Sequence, residues 1–594
     1  MVKELNYPFD CDYIIKKKKK IKKELLAQND QKFIKKRIAV LGGSTTNDII
    51  AVMELFLLNN GIMPEFYESE YNRYYEEAVF PNEQLKSFEP DIIYVCTSYR
   101  NLRNLPCITD SEQEVSDKLL AEYNRLENIW KMLNDHYHCI IIQNNFELPS
   151  FRMMGNREAS DFHGTVNFVG RLNQMMYTYA QKKENLHICD INYISATYGL
   201  DQWADPFYWY MYKYAMAVPA IPYLSFNVAN IIKSILGKNK KGFVLDLDNT
   251  LWGGIVGDDG VEALEIGPEE AEGQAYLEFQ EYIKKYESYG IVLNVNSKNE
   301  YENAIAGLNH ECGILRPEDF ICIRANWLRK SENIKSISEE LNILPESLVF
   351  VDDNPAERME VEKEFPAIRA PEIDNVTNYI RMIDHSGFFE MTSYSADDVQ
   401  RMQMYKDNQK RHEMQISCDN YEEYLCSLQM QAEIKAFEPL HVARIAQLTN
   451  KSNQFNLTTK RYTVEDIEQV MCDKGTIGIY GRLRDCFGDN GIVSVVIAAI
   501  REKECHIDLW LMSCRVLKRD MEFAMMDALV QRCRDREVKQ IYGYYYPTKK
   551  NGMVKEFYGL MGFEKIDETE ERTLWKYDIP SAYEKKNKFI TVED

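Results

Sequence analysis

The chain has 594 residues, with 71 Lys and Arg against 93 Asp and Glu, a net charge of −22. A surface that acidic repels nucleic acid and anionic membrane, so neither is an expected partner. Hydrophobic residues make up 45% and aromatic residues 12%, enough for packed cores, and the length fits three to four domains of roughly 150–200 residues each.

Fourteen cysteines are scattered without a CxxC or another zinc or disulfide spacing, the usage of reduced thiols in a cytosolic protein. The first residues carry no apolar leader core, and no apolar run approaches the ~18 residues of a membrane span. A soluble, cytoplasmic protein is expected.

Residues 1–36 contain Ile14-Ile-Lys-Lys-Lys-Lys-Lys-Ile-Lys-Lys-Glu-Leu-Leu26. Ile14, Ile21 and Leu25 recur at helical intervals, so a basic amphipathic helix is expected to pack on the first domain. Its lysine run reads as a solvated face, with contact to a carrier protein or a membrane as the sharper alternative.

From 37 to 238 the pattern is that of a parallel α/β domain. Lys36-Arg-Ile-Ala-Val-Leu-Gly-Gly-Ser-Thr-Thr-Asn47 reads as a strand, a glycine turn and the start of an amphipathic helix. Asp91-Ile-Ile-Tyr-Val-Cys96 and Cys139-Ile-Ile-Ile142 read as further buried strands. Ser44 follows the glycines at the strand-to-helix turn, where a nucleophilic hydroxyl can sit over a helix amino end. This resembles the first block of the SGNH-hydrolase fold, but the DxxH that family needs is missing. Asp205-Pro-Phe-Tyr208 has Tyr in the His position, and Asp161-Phe-His163 lies too early with the wrong spacing. A flavodoxin-like, SGNH-type scaffold without hydrolase activity is therefore expected. The aromatic segment Trp203-Ala-Asp-Pro-Phe-Tyr-Trp-Tyr210 reads as core or domain interface.

Residues 239–390 hold the stretch around which the chain is organised, Phe243-Val-Leu-Asp-Leu-Asp-Asn-Thr-Leu-Trp-Gly-Gly254. A short apolar run ends in Asp246 and Asp248. Alternation along an extended backbone directs both carboxylates to one side, at the strand end where open parallel sheets put their ligands. Two carboxylates at one point call for a cation or a shared proton. A pair of aspartates in a solvated turn is the plainer reading, and the longer D-x-D-x-T pattern argues against it. Tyr289-Gly-Ile-Val-Leu-Asn-Val-Asn-Ser297 is a second apolar strand, ending in a hydroxyl. Lys330 opens a helical run, and Ser347-Leu-Val-Phe-Val-Asp-Asp-Asn354 is a third strand, ending in Asp352 and Asp353.

In this order the four segments resemble motifs I to IV of the haloacid-dehalogenase (HAD) phosphatase superfamily, a Rossmann-like parallel sheet. The resemblance implies Asp246 as nucleophile, Asp248 as acid/base, and Ser297 and Lys330 on the phosphoryl oxygens. It further implies Mg2+ among Asp246, Asp248, Asp352 and Asp353. A hydroxyl, a cation and clustered carboxylates are the parts phosphoryl transfer requires. Only a Gly- and Asp-rich flap, 252–268, separates motif I from the first long helix, so no cap domain is expected. Such a site is open to a macromolecular substrate or covered by a neighbouring domain.

Residues 391–430 read as a charged helical connector. In 431–594, strands at 476–480, 491–500 and 506–513 follow the polar loop Asn450-Lys-Ser-Asn-Gln-Phe-Asn-Leu-Thr-Thr-Lys-Arg-Tyr462 and precede a helix at 521–534. The order resembles a GNAT N-acetyltransferase with its mixed sheet. That family's R-x-x-G-x-G/A loop sets backbone amides on the CoA diphosphate. Arg515 matches the Arg, but Lys518 and Asp520 stand where the glycines belong, so the fold is expected without ordinary acetyl-CoA use. The cleft is expected to take the pantetheine arm of a carrier instead. Asn453, Gln454 and Asn456 are candidates to hydrogen-bond that arm or simply to order the loop.

Nearly the whole chain resembles the FkbH-like proteins, HAD subfamily IIIC. The phrases that carry this are Ile38-Ala-Val-Leu-Gly-Gly-Ser-Thr-Thr46, Val244-Leu-Asp-Leu-Asp-Asn-Thr-Leu-Trp-Gly-Gly254, Ser297-Lys-Asn299, Phe350-Val-Asp-Asp-Asn-Pro355, Asn453-Gln-Phe-Asn-Leu-Thr-Thr459 and Met512-Ser-Cys-Arg-Val516. The resemblance implies dephosphorylation of 1,3-bisphosphoglycerate and loading of the glyceryl unit on an acyl carrier protein, for polyketide-type biosynthesis. Thr250, Trp252, Asn299, Cys514 and Arg515 join the loop asparagines and Gln454 as substrate- or carrier-binding candidates. Transfer to a thiol is a separate step that a protein cysteine can relay. The family pattern has Cys just before the motif II serine, and this chain has Asn296 there. Cys514, beside Arg515 at a helix start, is the substitute by context, or else a small buried apolar residue. A HAD phosphatase for another small phosphate ester or acyl phosphate, and a non-catalytic scaffold, remain as alternatives.

Overall fold

The structure is a computed structural model that describes residues 2–27, 33–80, 82–394, 400–452, 454–548 and 550–593, without the side chain of Cys514. The fold is α/β, with two parallel sheets and one mixed sheet. The chain divides into two compact units, Met1–Ile235 with Glu390–Thr392, and Leu236–Phe389 with Ser393–Asp594. Among the described residues no helix is long and apolar enough to cross a membrane.

The first unit is built on five parallel strands: β1 (Ile34–Gly42), β2 (Ile62–Glu68), β3 (Ile92–Cys96), β4 (Ile140–Asn144) and β5 (Leu186–Cys189). Their order, β2-β1-β3-β4-β5, is that of flavodoxin-like sheets. β3 is a continuous apolar run and β4 opens as one at Ile140–Ile142, the pattern of strands covered on both faces. Periodicity alone does not expose β2, which carries Pro64 and Glu65 on a partly exposed edge. The basic helix, Cys11–Ala27, buries Ile14, Ile21 and Leu25. Three of its lysines are ion-paired, Lys16 with Asp12 on the same helix, Lys18 with Asp48 and Lys22 with Glu54.

In the second unit β6 (Gly242–Leu245), β7 (Val292–Ser297), β8 (Cys322–Ala325) and β9 (Leu348–Val351) form a parallel sheet of order β8-β7-β6-β9. Both faces are apolar. Phe243, Leu245, Leu293, Val295, Val349 and Val351 pack with Phe279, Ile283, Tyr379 and Ile383 on one side. Val244, Val292 and Phe350 pack with Ile334, Ile337 and Val361 on the other. Every carboxyl end of a strand therefore opens at one edge of the sheet, which is where the polar motifs lie.

The third sheet contains β10 (Gln431–Ala436), β11 (Phe455–Asn456), β12 (Thr476–Asp485), β13 (Gly488–Arg501), β14 (Glu504–Met512), β15 (Gln540–Tyr545), β16 (Glu564–Glu568), β17 (Thr573–Asp578) and β18 (Thr591–Glu593). Its order is β16-β17-β15-β14-β13-β12-β10-β18, with β11 added on β14. The helix Arg401–Ser417 ties this sheet to the second one. Met402 and Tyr405 enter the apolar core beside Ile334 and Phe350. Residues one helical step away, Asn408 and Arg411, bond to Arg519 and Asp485 beside the third sheet. The segment that reads as a charged connector is thus a helix used on two faces.

Candidate active site

The organising stretch ends its strand at Leu245, and the backbone then turns. Asp246 still bonds across the sheet, its N–H donating to Val351 O at 2.9 Å. Thr250 and Leu251 then donate back to Leu247 O at 3.0 and 2.8 Å. Asn249 takes a φ of 53°, a left-handed conformation that Asn tolerates better than most residues. Its carbonyl accepts from Tyr379 Oη at 2.9 Å.

Lys330 begins the helix Lys330–Leu341 and is buried at 2% exposure. Its ammonium donates to Asp246 Oδ1 and to Asn296 O, each at 2.6 Å, and lies 3.1 Å from Asp352 Oδ2. Burial works against this charge, but Asp246 and Asp352 outweigh burial and hold its pKa above the ordinary lysine value.

Carboxylate oxygens of Asp246, Asp352 and Asp353 lie within 4.8 Å of one another. Asp352 Oδ1 accepts from Asn354 N at 2.9 Å. Asp352 Oδ2 is buried and accepts no hydrogen bond, although the ammonium of Lys330 is near enough to form an ion pair. Three carboxylates thus face one ammonium. Burial and the neighbouring Asp246 push Asp352 up to about 7, and the same causes move Asp353 upward. A carboxylate oxygen without a hydrogen bond, within a set of three carboxylates, fits a hard divalent cation such as Mg2+.

The carboxylate of Asp248, expected among the metal ligands, is not in that cluster. Alternation does not govern it, because it lies beyond the strand, in the turn. Its Oδ1 accepts from Trp252 Nε1 at 3.0 Å and Val256 N at 3.1 Å. Its Oδ2 accepts from Asn299 Nδ2 at 2.7 Å. The same amide donates to Ser297 Oγ at 3.1 Å, joining the serine at the end of β7 to the acid/base candidate.

Thr250 and Trp252, carried as substrate- or carrier-binding candidates, are buried and hold the site from behind. Thr250 Oγ1 accepts from Asp353 N at 3.2 Å, linking the loops after β6 and β9. The Trp252 indole lies so close to Gly307 that a Cβ there would sit 2.8 Å from the ring. Asn299 is buried as well and contacts both Asp248 and Ser297.

Sequence reading also passed over an asparagine network. Asn296 Nδ2 donates to Lys330 O at 3.0 Å, and Asn333 Nδ2 donates to Asn296 Oδ1 at 3.0 Å and to Asn326 Oδ1 at 3.0 Å. Asn296 thus brackets Lys330 from both ends of that residue. A polar residue inside an otherwise apolar strand was the available signal.

Residues 37–233 match the family model described as FkbH, N-terminal domain. The chain is also similar to a crystal structure of the N-terminal part of the protein BF1531 from Bacteroides fragilis, containing a phosphatase domain complexed with Mg. Identity is 28% and the TM-score 0.58, over 64% of this chain and 98% of that one. Residues 37–233 are thus similar to the FkbH N-terminal domain, and the chain is similar to a phosphatase-containing protein. Other similar structures are the ribosomal-protein-S18-alanine N-acetyltransferase from Escherichia coli (11% identity, TM-score 0.21, 26% of this chain, 97% of that chain) and Ard1 from Thermoplasma volcanium (15%, 0.21, 25%, 99%). No curated protein matches the chain.

The cleft expected of the third sheet is filled by the chain itself. β14 and β15 pair only between Glu504–His506 and Gln540–Tyr542. Into the gap beyond, β11 pairs antiparallel with Leu511 and Met512. Leu457 N donates to Trp510 O at 3.1 Å, and Tyr546 N donates to Leu457 O at 2.9 Å. The backbone of β14 that an amide arm would need is therefore already bonded. Asn456 is buried and orders this loop, its Oδ1 accepting from Thr459 N at 2.8 Å. Gln454 is half-buried beside it, and Asn453 lies outside the described residues.

The loop 515–520 is covered as well. Lys518 and Asp520 have φ of 64° and 61°, the left-handed region that favours glycine, so the backbone shape persists without glycines. Burial pushes Asp520 upward, and burial with Asp520 pushes Glu522 up to about 7, so two carboxyl groups stand at the helix amino end. Arg515 Nε donates to Ser513 Oγ at 3.2 Å, and its Nη1 meets Met404 Sδ. Arg519 Nη2 donates to Asn408 Oδ1 at 2.7 Å. Arg411 bonds Asp485 twice, at 2.9 and 2.7 Å. The side chain of Cys514 lies outside the described residues.

Ser44, in the first unit, is buried, and the Gly43 carbonyl beside it accepts from Asn101 Nδ2 at 2.8 Å. His163 is engaged elsewhere, with Asp161 Oδ1 and Asp110 O at 2.8 Å each. Asp205 caps the helix Pro206–Tyr212, accepting from Phe207 N at 2.9 Å.

Proposed function

We propose that the chain is a Mg2+-dependent HAD-type phosphatase that dephosphorylates 1,3-bisphosphoglycerate and passes the glyceryl unit to an acyl carrier protein, in the cytoplasm, for polyketide-type biosynthesis. The observation that carries the phosphatase part is the buried Lys330 bridging Asp246 and Asp352, with Asp352 Oδ2 held by that ion pair and by no hydrogen bond. Asp246 attacks phosphorus, and Asp248, fixed by three donors, delivers a proton to the leaving oxygen and later takes one from water. Lys330 and Ser297 hold the phosphoryl oxygens. Asp246, Asp352 and Asp353 would hold Mg2+, which neutralises phosphate charge when bound.

Glyceryl loading rests on the FkbH likeness. The test is the mass of candidate carrier proteins after incubation with the chain, Mg2+ and 1,3-bisphosphoglycerate, with phosphate release measured in parallel. A glyceryl adduct on the carrier is the expected result. Phosphate release without an adduct favours the second reading, a phosphatase for another small phosphate ester or acyl phosphate. One observation supports that reading: Asn296 stands where the family has its thiol, and its amide is spent on Lys330 and Asn333. The filled third sheet and Ser44 without a histidine partner among the described residues support scaffold roles for those two parts.

A further inference from the structure

Asp248 lies in the turn beyond β6, and its two carboxylate oxygens are not equivalent. Oδ1 accepts twice, from Trp252 Nε1 at 3.0 Å and from Val256 N at 3.1 Å. A carboxylate oxygen offers about two lone-pair sites, so Oδ1 is full. Oδ2 accepts once among the described residues, from Asn299 Nδ2 at 2.7 Å, and keeps one site open. A proton that Asp248 gives or takes therefore travels through Oδ2, beside the Asn299 amide.

The same amide fixes Ser297. An ionised carboxylate only accepts, so the amide nitrogen, and not its oxygen, must face Asp248. Both hydrogens of that nitrogen are used, one on Asp248 and the other on Ser297 Oγ at 3.1 Å. Ser297 Oγ is thereby held as an acceptor, and its own hydrogen is left for a third group. Asn299 and Ser297 are 3% and 1% exposed, so neither side chain swings into solvent. Trp252, whose indole packs on Gly307, grips the opposite oxygen of Asp248. Exchanging Oδ1 for Oδ2 by rotation would break three hydrogen bonds.

We propose that Asn299 is a positioning residue that sets both proton positions of the phosphoryl-transfer step. Its amide keeps the open lone pair of Asp248 Oδ2 on the leaving-group side and turns the Ser297 hydrogen toward the phosphoryl oxygens. This rests on the proposed function and deepens it, naming the atom that carries the proton. In the step itself an Asp246 oxygen bonds to phosphorus, and the bond from phosphorus to the leaving oxygen breaks. The leaving oxygen keeps that electron pair and takes the proton from Asp248 Oδ2. An alkoxide needs this proton to depart, whereas a nitrophenolate departs without it. Loss of the Asn299 amide is therefore felt most with the poorer leaving group, a selectivity that damage to the fold does not produce.

The test compares Asn299→Ala with the unmodified full chain in Mg2+, on 3-phosphoglycerate, an alkyl phosphate, and on p-nitrophenyl phosphate. The quantity read is kcat/KM from phosphate release, the loss of transition-state stabilisation relative to free enzyme and ester. A general acid contributes about 10²–10⁴-fold, so the loss on 3-phosphoglycerate is expected to exceed that on p-nitrophenyl phosphate by about tenfold or more. Asn299→Asp has the same shape but carboxylate oxygens in place of the two hydrogens. It is expected to show the same split, and it carries the test if the alanine variant does not fold. Equal losses on the two esters, or a larger loss on p-nitrophenyl phosphate, overturn the inference and leave the phosphatase standing. No release from either ester by the unmodified chain overturns the proposed function, and this inference with it, so the two failures are told apart.

Discussion

Lys330 Nζ lies 2.6 Å from Asp246 Oδ1, inside a protein region that leaves the lysine 2% exposed. The pair joins the helix after β8 to the end of β6, and Asp352 approaches the same ammonium at 3.1 Å. A charge so deeply buried persists only because anions surround it, and those anions in turn outnumber it.

Asp246→Asn is expected to abolish phosphate release while leaving the fold intact. The amide cannot attack phosphorus, and the loss should reach several orders of magnitude in rate. A phosphate assay alongside a thermal melt checks both halves. Release near the wild-type rate would remove the HAD mechanism.

Lys330→Met is expected to destabilise by ~3–5 kcal/mol in chelator, because it leaves buried carboxylates without a counter-charge. Mg2+ should recover part of that loss, since a ligand that binds only the folded state stabilises it. Urea melts in chelator and in Mg2+ give the comparison. An equal loss in both would separate the carboxylate cluster from metal binding.

The sequence exposed the second sheet best. There, apolar strands lead directly into polar residues: Ser297 ends β7, and Asp246 and Asp352 each lie one residue past β6 and β9. It misjudged Asp248 because alternation stops where the strand stops, one residue before Asp246. It misplaced Thr250 and Trp252 because a conspicuous residue near a site need not face it, and burial is not written in a motif. The filled cleft was beyond sequence reasoning for a different reason: β11 is two residues long, too short for any periodicity, and only its pairing with Leu511 and Met512 makes it a strand.

Ser44→Ala is expected to leave any ester hydrolysis by the chain unchanged. An unassisted serine hydroxyl is a weak nucleophile at neutral pH, and Tyr208 stands where the assisting histidine would be. Turnover of a short-chain ester that disappears with Ser44 would make the first unit catalytic.

Glu147→Gln is expected to stabilise the protein at pH 8. Glu147 is buried, accepts from Tyr99 N at 3.2 Å, and is pushed by burial from 4.5 up to about 7. The folded state therefore binds this proton more tightly than the unfolded state does. Stability from this group falls as pH rises from about 4.5 to 7, and it stays low above that. The neutral amide escapes this penalty, with a gain of up to ~3 kcal/mol at pH 8 and little at pH 5. Denaturant melts at the two pH values measure it, and a gain independent of pH would assign the effect to packing.

Lys518→Gly and Asp520→Gly are each expected to stabilise the chain by about 0.5–1 kcal/mol, because both residues hold left-handed backbone that glycine adopts without a Cβ penalty. These substitutions also restore the glycines of a diphosphate loop, yet neither should create acetyl-CoA binding. The gap between β14 and β15 stays filled by β11, and Met404 and Asn408 still cover Arg515 and Arg519. Thermal melts read the first effect and calorimetry with acetyl-CoA the second. Micromolar acetyl-CoA binding by the wild type would mean that β11 gives way to the ligand. Binding gained only in the double glycine variant would show that the loop side chains, not the filled gap, exclude the nucleotide.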